Sequence, residues 1–285
     1  MFLSMVRASF AKAFEYARYC NRIKDNKADE GAYFLASALR GTCEELIALK
    51  FIHQLPVKER DEVIAIEMNR GVSKAVEEQA KFFDIVRPFQ PVIKGGTDAA
   101  AITRQKTRID NIAKASGLWT PQKGKLPSVE QMADKVAMRS IYDYFYRISS
   151  DVVHFNPRIA LRSGWGDDPR KGTFSTKNFC RYYLFYSQIY SVFLFIQLCR
   201  AFQQDLALSR SFLKTLDTLD RELGDILRWP EAITFEELNK EEPSWWLRAA
   251  LKFAHEQGWD KETTAANLKW MGPIATPSTT DEPSS

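Results

Sequence analysis

The 285-residue sequence is poor in the residues and motifs on which much enzyme chemistry depends. It holds only three histidines, His53, His154 and His255. It contains no GxxxxGK(S/T) phosphate loop, no GxGxxG turn after a strand, no GxSxG elbow and no HExxH zinc motif. These absences argue against nucleotide hydrolysis, dinucleotide redox chemistry and zinc proteolysis. We expect neither a metal site nor a cofactor.

Cysteine is also scarce, and its four copies are scattered along the chain. No two of them form a CxxC pair, and each lies in an apolar, helix-like stretch, which favours reduced core thiols over disulfides or zinc ligands. Arg7 and Lys12 interrupt the early apolar residues, unlike a secretory signal. The sequence therefore predicts a cytoplasmic protein with free thiols at Cys20, Cys43, Cys180 and Cys199.

The chain lacks a strong excess of charge of either sign, since its formal net charge is +4. Any nucleic-acid partner would therefore have to meet a local basic patch. Residues 182–199, between Arg181 and Arg200, form an uncharged run near the shortest length for a membrane span. Serine, glutamine and tyrosine dilute this run, which favours a buried core helix with no membrane span. A membrane-associated regulator remains an alternative.

Apolar residues recur with helical periodicity through most of the chain, and no strand alternation of useful length is present. The pattern predicts an all-α fold, an antiparallel helical bundle around one core. Ser128, followed by Gln131 three residues later, predicts a helix N-cap. The predicted helices cover residues 2–23, 29–53, 58–86, 98–115, 128–155 (one helix or a pair), 176–204 and 206–228, with residues 156–175 as a loop.

The composition changes after the last of these helices. We predict that residues 1–228 form the helical domain and that residues 229–271 form a small C-terminal helical appendage rich in tryptophan. Residues 272–285, GPIATPSTTDEPSS, have the composition of a disordered tail.

The stretch YDYFYRISSDVVHF, residues 142–155, brings together the residue types that nucleic-acid chemistry needs. On a helix, its apolar residues form one stripe and its polar residues another. Arg147 and His154 lie seven residues apart, nearly eclipsed and about 10 Å apart along the axis, so both side chains could reach one phosphate. Histidine can also accept and donate protons near neutral pH. The polar stripe comprises Asp143, Arg147, Ser150, Asp151 and His154.

A second polar pair interrupts the helix predicted over residues 29–53, which is otherwise apolar nearly all round. Arg40 and Glu44 project from it at i,i+4 spacing. A charged pair on such a helix needs a partner, because an unpaired buried charge is costly. Two interpretations stay open: an intrahelical ion pair at a partly exposed edge, or a pair that faces the Arg147–His154 helix and orients its polar groups.

Basic residues follow His154 in the predicted loop. Such a patch can attract a polyanion, although charge runs are often only solvated surface. We take RNA as the candidate polyanion, with contacts at Arg158, Arg162, Arg170 and Lys171.

These residues carry a resemblance to a known group of proteins. Arg147-x6-His154 resembles the R-x(4–6)-H signature of HEPN domains, small all-α domains of bacterial toxins, phage-defence proteins and CRISPR effectors. More specifically, the sequence is similar to an HEPN-like bacterial family of unknown function with R-x3-E and Y-R-x2-S-x2-V-H helices. The matching residues are Arg40 and Glu44, and Tyr146, Arg147, Ser150, Val153 and His154.

The resemblance implies a metal-independent endoribonuclease that works as a homodimer, in a toxin or phage-defence role with a neutralising or regulatory protein. By the same resemblance, His154 would act as general base or acid and Arg147 would stabilise charge on the scissile phosphate. Arg40 and Glu44 would support the pair or contact phosphate, with Ser150, Tyr146 and Asp151 as further supporting residues.

A family resemblance alone does not establish an activity. The alternative is a non-catalytic helical interaction or regulatory module, whose polar face binds a partner or a small ligand. Its distinguishing sign would be Arg40–Glu44 and Arg147–His154 locked together, buried and without a groove.

Overall fold

In a computed structural model, the described residues are 1–23, 31–92, 98–154, 156–163, 174–234, 254 and 256–258. The chain divides into two compact units, Met1–Leu223 and Gly224–Ser285. Most of the appendage predicted over residues 229–271, and all of the tail predicted over residues 272–285, lie outside the described residues.

The fold is all-α, as the periodicity predicts, and the described part contains no strand. Its helices, in chain order, are α1 (Phe2–Arg22), α2 (Ala32–His53), α3 (Val57–Val86), α4 (Ala99–Ser116), α5 (Val129–Lys135), α6 (Arg139–Val153), α7 (Pro157–Ser163), α8 (Cys180–Ala201) and α9 (Arg210–Gly224).

The core of the first unit forms around α2 and α8. Helix α2 packs against α8, α6, α5 and α1, and α8 also packs against α1. Both helices are apolar nearly all round, so their side chains can be buried only if other helices pack against them on most sides. Leu39 and Leu46 of α2 and Leu194 and Ile196 of α8 are fully buried.

Helix α8 is the one helix of the described residues that is long and apolar enough to cross a membrane. However, 67% of its most apolar window is buried inside the fold. Its tyrosines also contact α6: the hydroxyl groups of Tyr144 and Tyr190 are hydrogen-bonded at 2.7 Å. Helix α8 is therefore packed as a core helix, as the serine, glutamine and tyrosine residues within residues 182–199 predict.

Local signals set several helix ends. Ser128 and Gln131 form the predicted capping box, in which the Ser128 hydroxyl accepts from the Gln131 N–H at 3.2 Å and the Ser128 N–H donates to Gln131 Oε1 at 3.0 Å. The helix predicted over residues 128–155 is a pair, α5 and α6. The break falls at Ala137, whose positive φ of 55° does not fit a continuous helix.

The predicted loop over residues 156–175 was wrong in its first part, which forms helix α7. Pro157 disfavours helix in the residue before it, but it is well suited to the first turn of a new helix, where its missing N–H has no partner to lose.

The structure predicts an unequal response of two leucines to truncation. Leu39→Ala should lower the free energy of unfolding by about 2–5 kcal/mol, because it leaves a cavity in the fully buried face of α2. Leu3→Ala, on the exposed side of α1, is the matched control and should change stability far less. Urea unfolding followed by circular dichroism measures both, and equal losses would contradict the placement of α2 at the centre of the core.

Candidate active site

The candidate site lies where α6 packs against α2. Two hydrogen bonds between side chain and backbone join the helices: the Ser149 hydroxyl donates to the Ala36 carbonyl and the Tyr33 hydroxyl to the Val152 carbonyl, each at 3.3 Å. Ser149 is fully buried, and Phe145 and Ile148 on the same side of α6 are also buried. This seam fixes how α6 presents its opposite, polar face.

Arg40 is the charged residue of this seam. Its Nε donates to Glu44 Oε1 at 2.7 Å, and its Nη1 donates across the seam to the Ser150 hydroxyl at 3.2 Å. Its guanidinium also lies 4.4 Å from the centre of the Tyr146 ring, a cation–π distance. The hydrogen bond with Glu44 raises the pKa of Arg40 above its ordinary value, so the guanidinium stays charged. Both interpretations that the sequence left open describe part of this arrangement. The Arg40–Glu44 pair is intrahelical and partly exposed, and Arg40 also faces α6, with Ser150 and Tyr146 as its contacts.

Arg147 and His154 are not part of that network. Both are exposed, and within the described residues neither side chain has a hydrogen-bond or ion-pair partner. His154 directly follows the last residue of α6, Val153, whereas the predicted helix ran to residue 155. Its N–H still donates to the Ser150 carbonyl at 2.8 Å, but its ψ of 160° turns the chain out of the helix. Its α carbon therefore still follows α6, about 10 Å along the axis from that of Arg147.

Asp151 accepts a hydrogen bond from the Asn156 side chain at 2.5 Å. The two residues lie on either side of His154 in the sequence, so this hydrogen bond holds the chain that follows α6 against the end of the helix. Asn156 was missed in the sequence, where its position directly before Pro157 was the available signal. The sequence likewise did not show that Tyr33 and Ser149 join α6 to α2.

The predicted RNA contact at Arg162 was wrong about its exposure. Arg162 lies in α7 and is buried, with 3% of its surface exposed. Its guanidinium packs 4.6 Å from the centre of the Tyr182 ring and 5.3 Å from that of Phe179, and its Nη1 donates to the Tyr183 hydroxyl at 3.4 Å. A cation held by rings of α8 contributes to packing and is not available to a phosphate.

The other predicted RNA contacts are not described. Arg158 lies in α7, but its side chain lies outside the described part of the structure, as do Arg170 and Lys171.

Cys20, Cys43 and Cys199 are buried and poorly suited to nucleophilic chemistry. Burial raises the pKa of Cys20 to about 11 and that of Cys43 and Cys199 to about 12. Such thiols stay protonated near neutral pH and are poor nucleophiles. Among the described residues, no three histidines, cysteines, aspartates or glutamates lie together as metal ligands would.

The contact between Arg40 and Ser150 predicts a measurable energetic coupling. In a double-mutant cycle, Arg40→Ala and Ser150→Ala should be non-additive by about 1 kcal/mol of unfolding free energy, because the hydrogen bond joins α2 to α6 at a partly buried position. The exposed pair Arg104 and Asp98 is the control and should show no measurable coupling. Additive losses for Arg40 and Ser150 would mean that the seam does not depend on this contact.

Residues 5–171 match the Family of unknown function (DUF5677). The match covers more than half of the chain and includes α2 and α6, with Arg40, Glu44, Arg147 and His154. No curated protein and no solved structure gives a significant match to the chain. The chain therefore belongs to DUF5677, a family of unknown function.

Proposed function

We propose that this protein is a metal-independent endoribonuclease of the cytoplasm, in a bacterial toxin or phage-defence role, with Arg147 and His154 as its catalytic pair. One observation carries the proposal. Arg147 lies on α6 and His154 directly follows it. Both side chains are exposed, and neither has a hydrogen-bond or ion-pair partner among the described residues, whereas Arg40 and Glu44 are bound to each other. Cleavage of a phosphodiester uses an imidazole that can exchange a proton and a guanidinium that can bind a phosphate oxygen.

In the proposed reaction, His154 accepts the proton of a ribose 2′-hydroxyl as the 2′ oxygen attacks the adjacent phosphorus. The bond from phosphorus to the 5′ oxygen then breaks. The protonated imidazole returns its proton to that oxygen, which leaves a 2′,3′-cyclic phosphate and a 5′-hydroxyl end. Arg147 neutralises the charge that develops on the non-bridging phosphate oxygens. The proton taken up in the first step equals the proton given up in the second, so the reaction balances whether one imidazole carries both transfers or the imidazole of a second copy protonates the leaving oxygen.

The geometry is compatible with a single bound phosphate. Seven residues of helix separate the two α carbons by about 10 Å along the axis, and an arginine side chain can lean along most of that distance. Both residues are exposed, so an RNA strand can reach them without opening the fold.

The supporting residues act through the position of α6. Arg40 donates from its Nε to Glu44 and from its Nη1 to Ser150, so it is better placed to hold α6 against α2 than to contact phosphate. Tyr146 under the guanidinium and Asp151 bound to Asn156 restrain the two ends of the segment that carries the pair.

RNA is the proposed substrate, and a second copy of the chain is the proposed partner, since two chains would supply two catalytic histidines. A neutralising or regulatory protein would then cover the exposed α6 face until cleavage is needed.

The non-catalytic module keeps one observation in its favour. The expected sign was both pairs locked together and buried; Arg40 and Glu44 are bound to each other, with 28% of each side chain exposed. The other pair, Arg147 and His154, is exposed. In this second function, the same two side chains would bind an anionic group of a partner without cleaving it.

The first test compares wild type with His154→Ala and Arg147→Ala. Expression of the wild type should degrade cellular RNA, which a denaturing gel shows. Each variant should lower the cleavage rate by about 100-fold or more, because it removes the group that transfers the proton or the charge that stabilises the phosphate. Arg104→Ala, an exposed arginine on α4, is the matched control and should cleave as the wild type does.

Folding must be unchanged for this comparison to count, and circular dichroism of the purified proteins checks it. A His154→Ala variant that cleaves at the wild-type rate would remove His154 from the mechanism. RNA could instead stay intact in cells that express the wild type or any variant, and also when purified wild type is mixed with RNA in an extract of phage-infected cells. That result would favour the binding module.

The proposed reaction uses only groups of the chain itself. Excess EDTA should therefore leave the cleavage rate of the purified wild type unchanged. Cleavage that stops in EDTA and returns with Mg²⁺ would show that the catalytic groups are wrongly assigned.

A further inference from the structure

A pocket of about 510 Å³ lies between the end of α4, the loop over residues 117–127 and α5. None of its lining residues belongs to α6 or to the Arg40–Glu44 pair. Its volume falls within the range of small-molecule sites, about 300–1,000 Å³. The pocket therefore has room for a small organic ligand, and its lining indicates which kind.

The least exposed side chains of the lining are apolar. Trp119 is 7% exposed, and its ring packs 5.6 Å from that of Phe51 in the core. Ala113 and Pro127 are also buried, and we call these three lining residues the floor of the pocket. A floor of this kind suits a ring that buries apolar surface against it.

The walls of the pocket are held in place without a ligand. The Gly124 N–H donates to Asp110 Oδ1 of α4 at 2.8 Å. Gly124 also has a φ of 73°, and a Cβ there would collide with Lys106, so this loop lies directly on α4. On the other side, the capping box of Ser128 and Gln131 fixes the start of α5. The pocket is therefore preformed, as small-molecule sites usually are.

Neutral polar groups of the lining are available for hydrogen bonds. Within the described part of the structure, the side chains of Thr120 and Gln122 make none. Gln131 accepts at its Oε1 in the capping box, which leaves its Nε2 able to donate. These groups can exchange hydrogen bonds with the hydroxyl groups and ring nitrogens of a ligand.

The lining also carries positive charge that is not paired. Lys114 and Lys135 line the pocket, and neither ammonium has an ion-pair partner among the described residues. Lys123 and Lys125, in the loop that forms one wall, are unpaired in the same part of the chain. Unpaired lysines beside an apolar floor favour a ligand with an anionic group.

Nearby negative charge does not cancel these lysines. Asp134, the acidic residue of the lining, is bound by Arg139 at 3.3 Å. The other carboxylates that Arg139 binds are outside the lining and exposed, so solvent screens them. The carbonyl ends of α4 and α5 add about half a negative charge each. The two full charges of Lys114 and Lys135 exceed this sum.

We propose that the pocket binds a nucleoside phosphate, with its base against the apolar floor, its sugar beside Gln122 and Gln131, and its phosphate at Lys114 and Lys135. An inorganic anion would leave the floor unused, and an uncharged ring would leave the lysines unpaired. A nucleoside phosphate uses both. This site goes beyond the proposed nuclease and does not rest on it.

Isothermal titration calorimetry of the full chain with adenosine 5′-monophosphate (AMP) tests the site. AMP should bind with a Kd below about 1 mM. It should bind about tenfold more tightly than adenosine or inorganic phosphate, because each of these lacks part of the contacts. The absence of AMP binding overturns the proposal. Equal affinity for AMP and inorganic phosphate would show only a general attraction to anions and overturns it as well.

The lysines have a matched pair of variants. Lys114→Gln/Lys135→Gln should weaken AMP binding by about tenfold or more, because it removes the charges that meet the phosphate. Lys58→Gln/Lys74→Gln is the control, since it removes two exposed lysines of α3 that also lack ion-pair partners in the described chain. The control should bind as the wild type does. All four positions are exposed, and circular dichroism should show equal helix content. An equal loss in both variants would reflect net charge alone and reject the site.

AMP binding at the candidate active site needs to be told apart from binding in the pocket. Arg147→Ala should leave the affinity for AMP unchanged, because Arg147 does not line the pocket. If Arg147→Ala abolishes binding while Lys114→Gln/Lys135→Gln retains it, AMP lies on α6 and the proposal is wrong.

The same chemical unit occurs free and at the end of an RNA strand. A 5′-phosphorylated tetraadenylate, titrated into the Arg147→Ala chain to prevent cleavage, distinguishes the two sources. Binding tighter than that of AMP, and dependent on Lys114 and Lys135, assigns the pocket to an RNA end. Weaker binding assigns it to a free nucleotide. Both results support a site for a nucleoside phosphate.

Discussion

The packing of α6 against α2 is the constraint on which the candidate site depends. Phe145, Ile148 and Ser149 of α6 are buried, and Arg40 lies beside them at a partly exposed edge of α2, with 28% of its side chain exposed. Glu44 supplies the countercharge, while Ser150 and Tyr146 supply the remaining contacts from α6. The buried stripe and these contacts together set which face of α6 meets α2.

The exposure of the catalytic pair that we propose follows from this arrangement. Because the seam uses one side of α6, the other side stays exposed and carries Arg147. The chain leaves the helix at His154, and the Asp151–Asn156 hydrogen bond holds the exit in place. Rigid support behind exposed, uncommitted side chains suits both a reaction site and an anion-binding site. The two functions therefore differ in what the imidazole does, and the support they need is the same.

The sequence by itself determined the features that depend on near neighbours along the chain. Helical periodicity was enough for the all-α fold, and Ser128 with Gln131 was enough for the start of α5. The polar side of α6 and the charged pair on α2 followed from spacing in the same way, since side chains three or four residues apart share a face in any helix.

Only the tertiary structure decided what those faces meet. Arg40 and Ser150 are 110 residues apart, and no local periodicity encodes a contact over that distance. Arg162 looked like a surface cation in its sequence context, yet rings of α8 bury it, because α7 forms where a loop was predicted. Burial and partnership are set by packing between distant segments, which is why the residues of the site could be named from the sequence but their roles could be separated only in the fold.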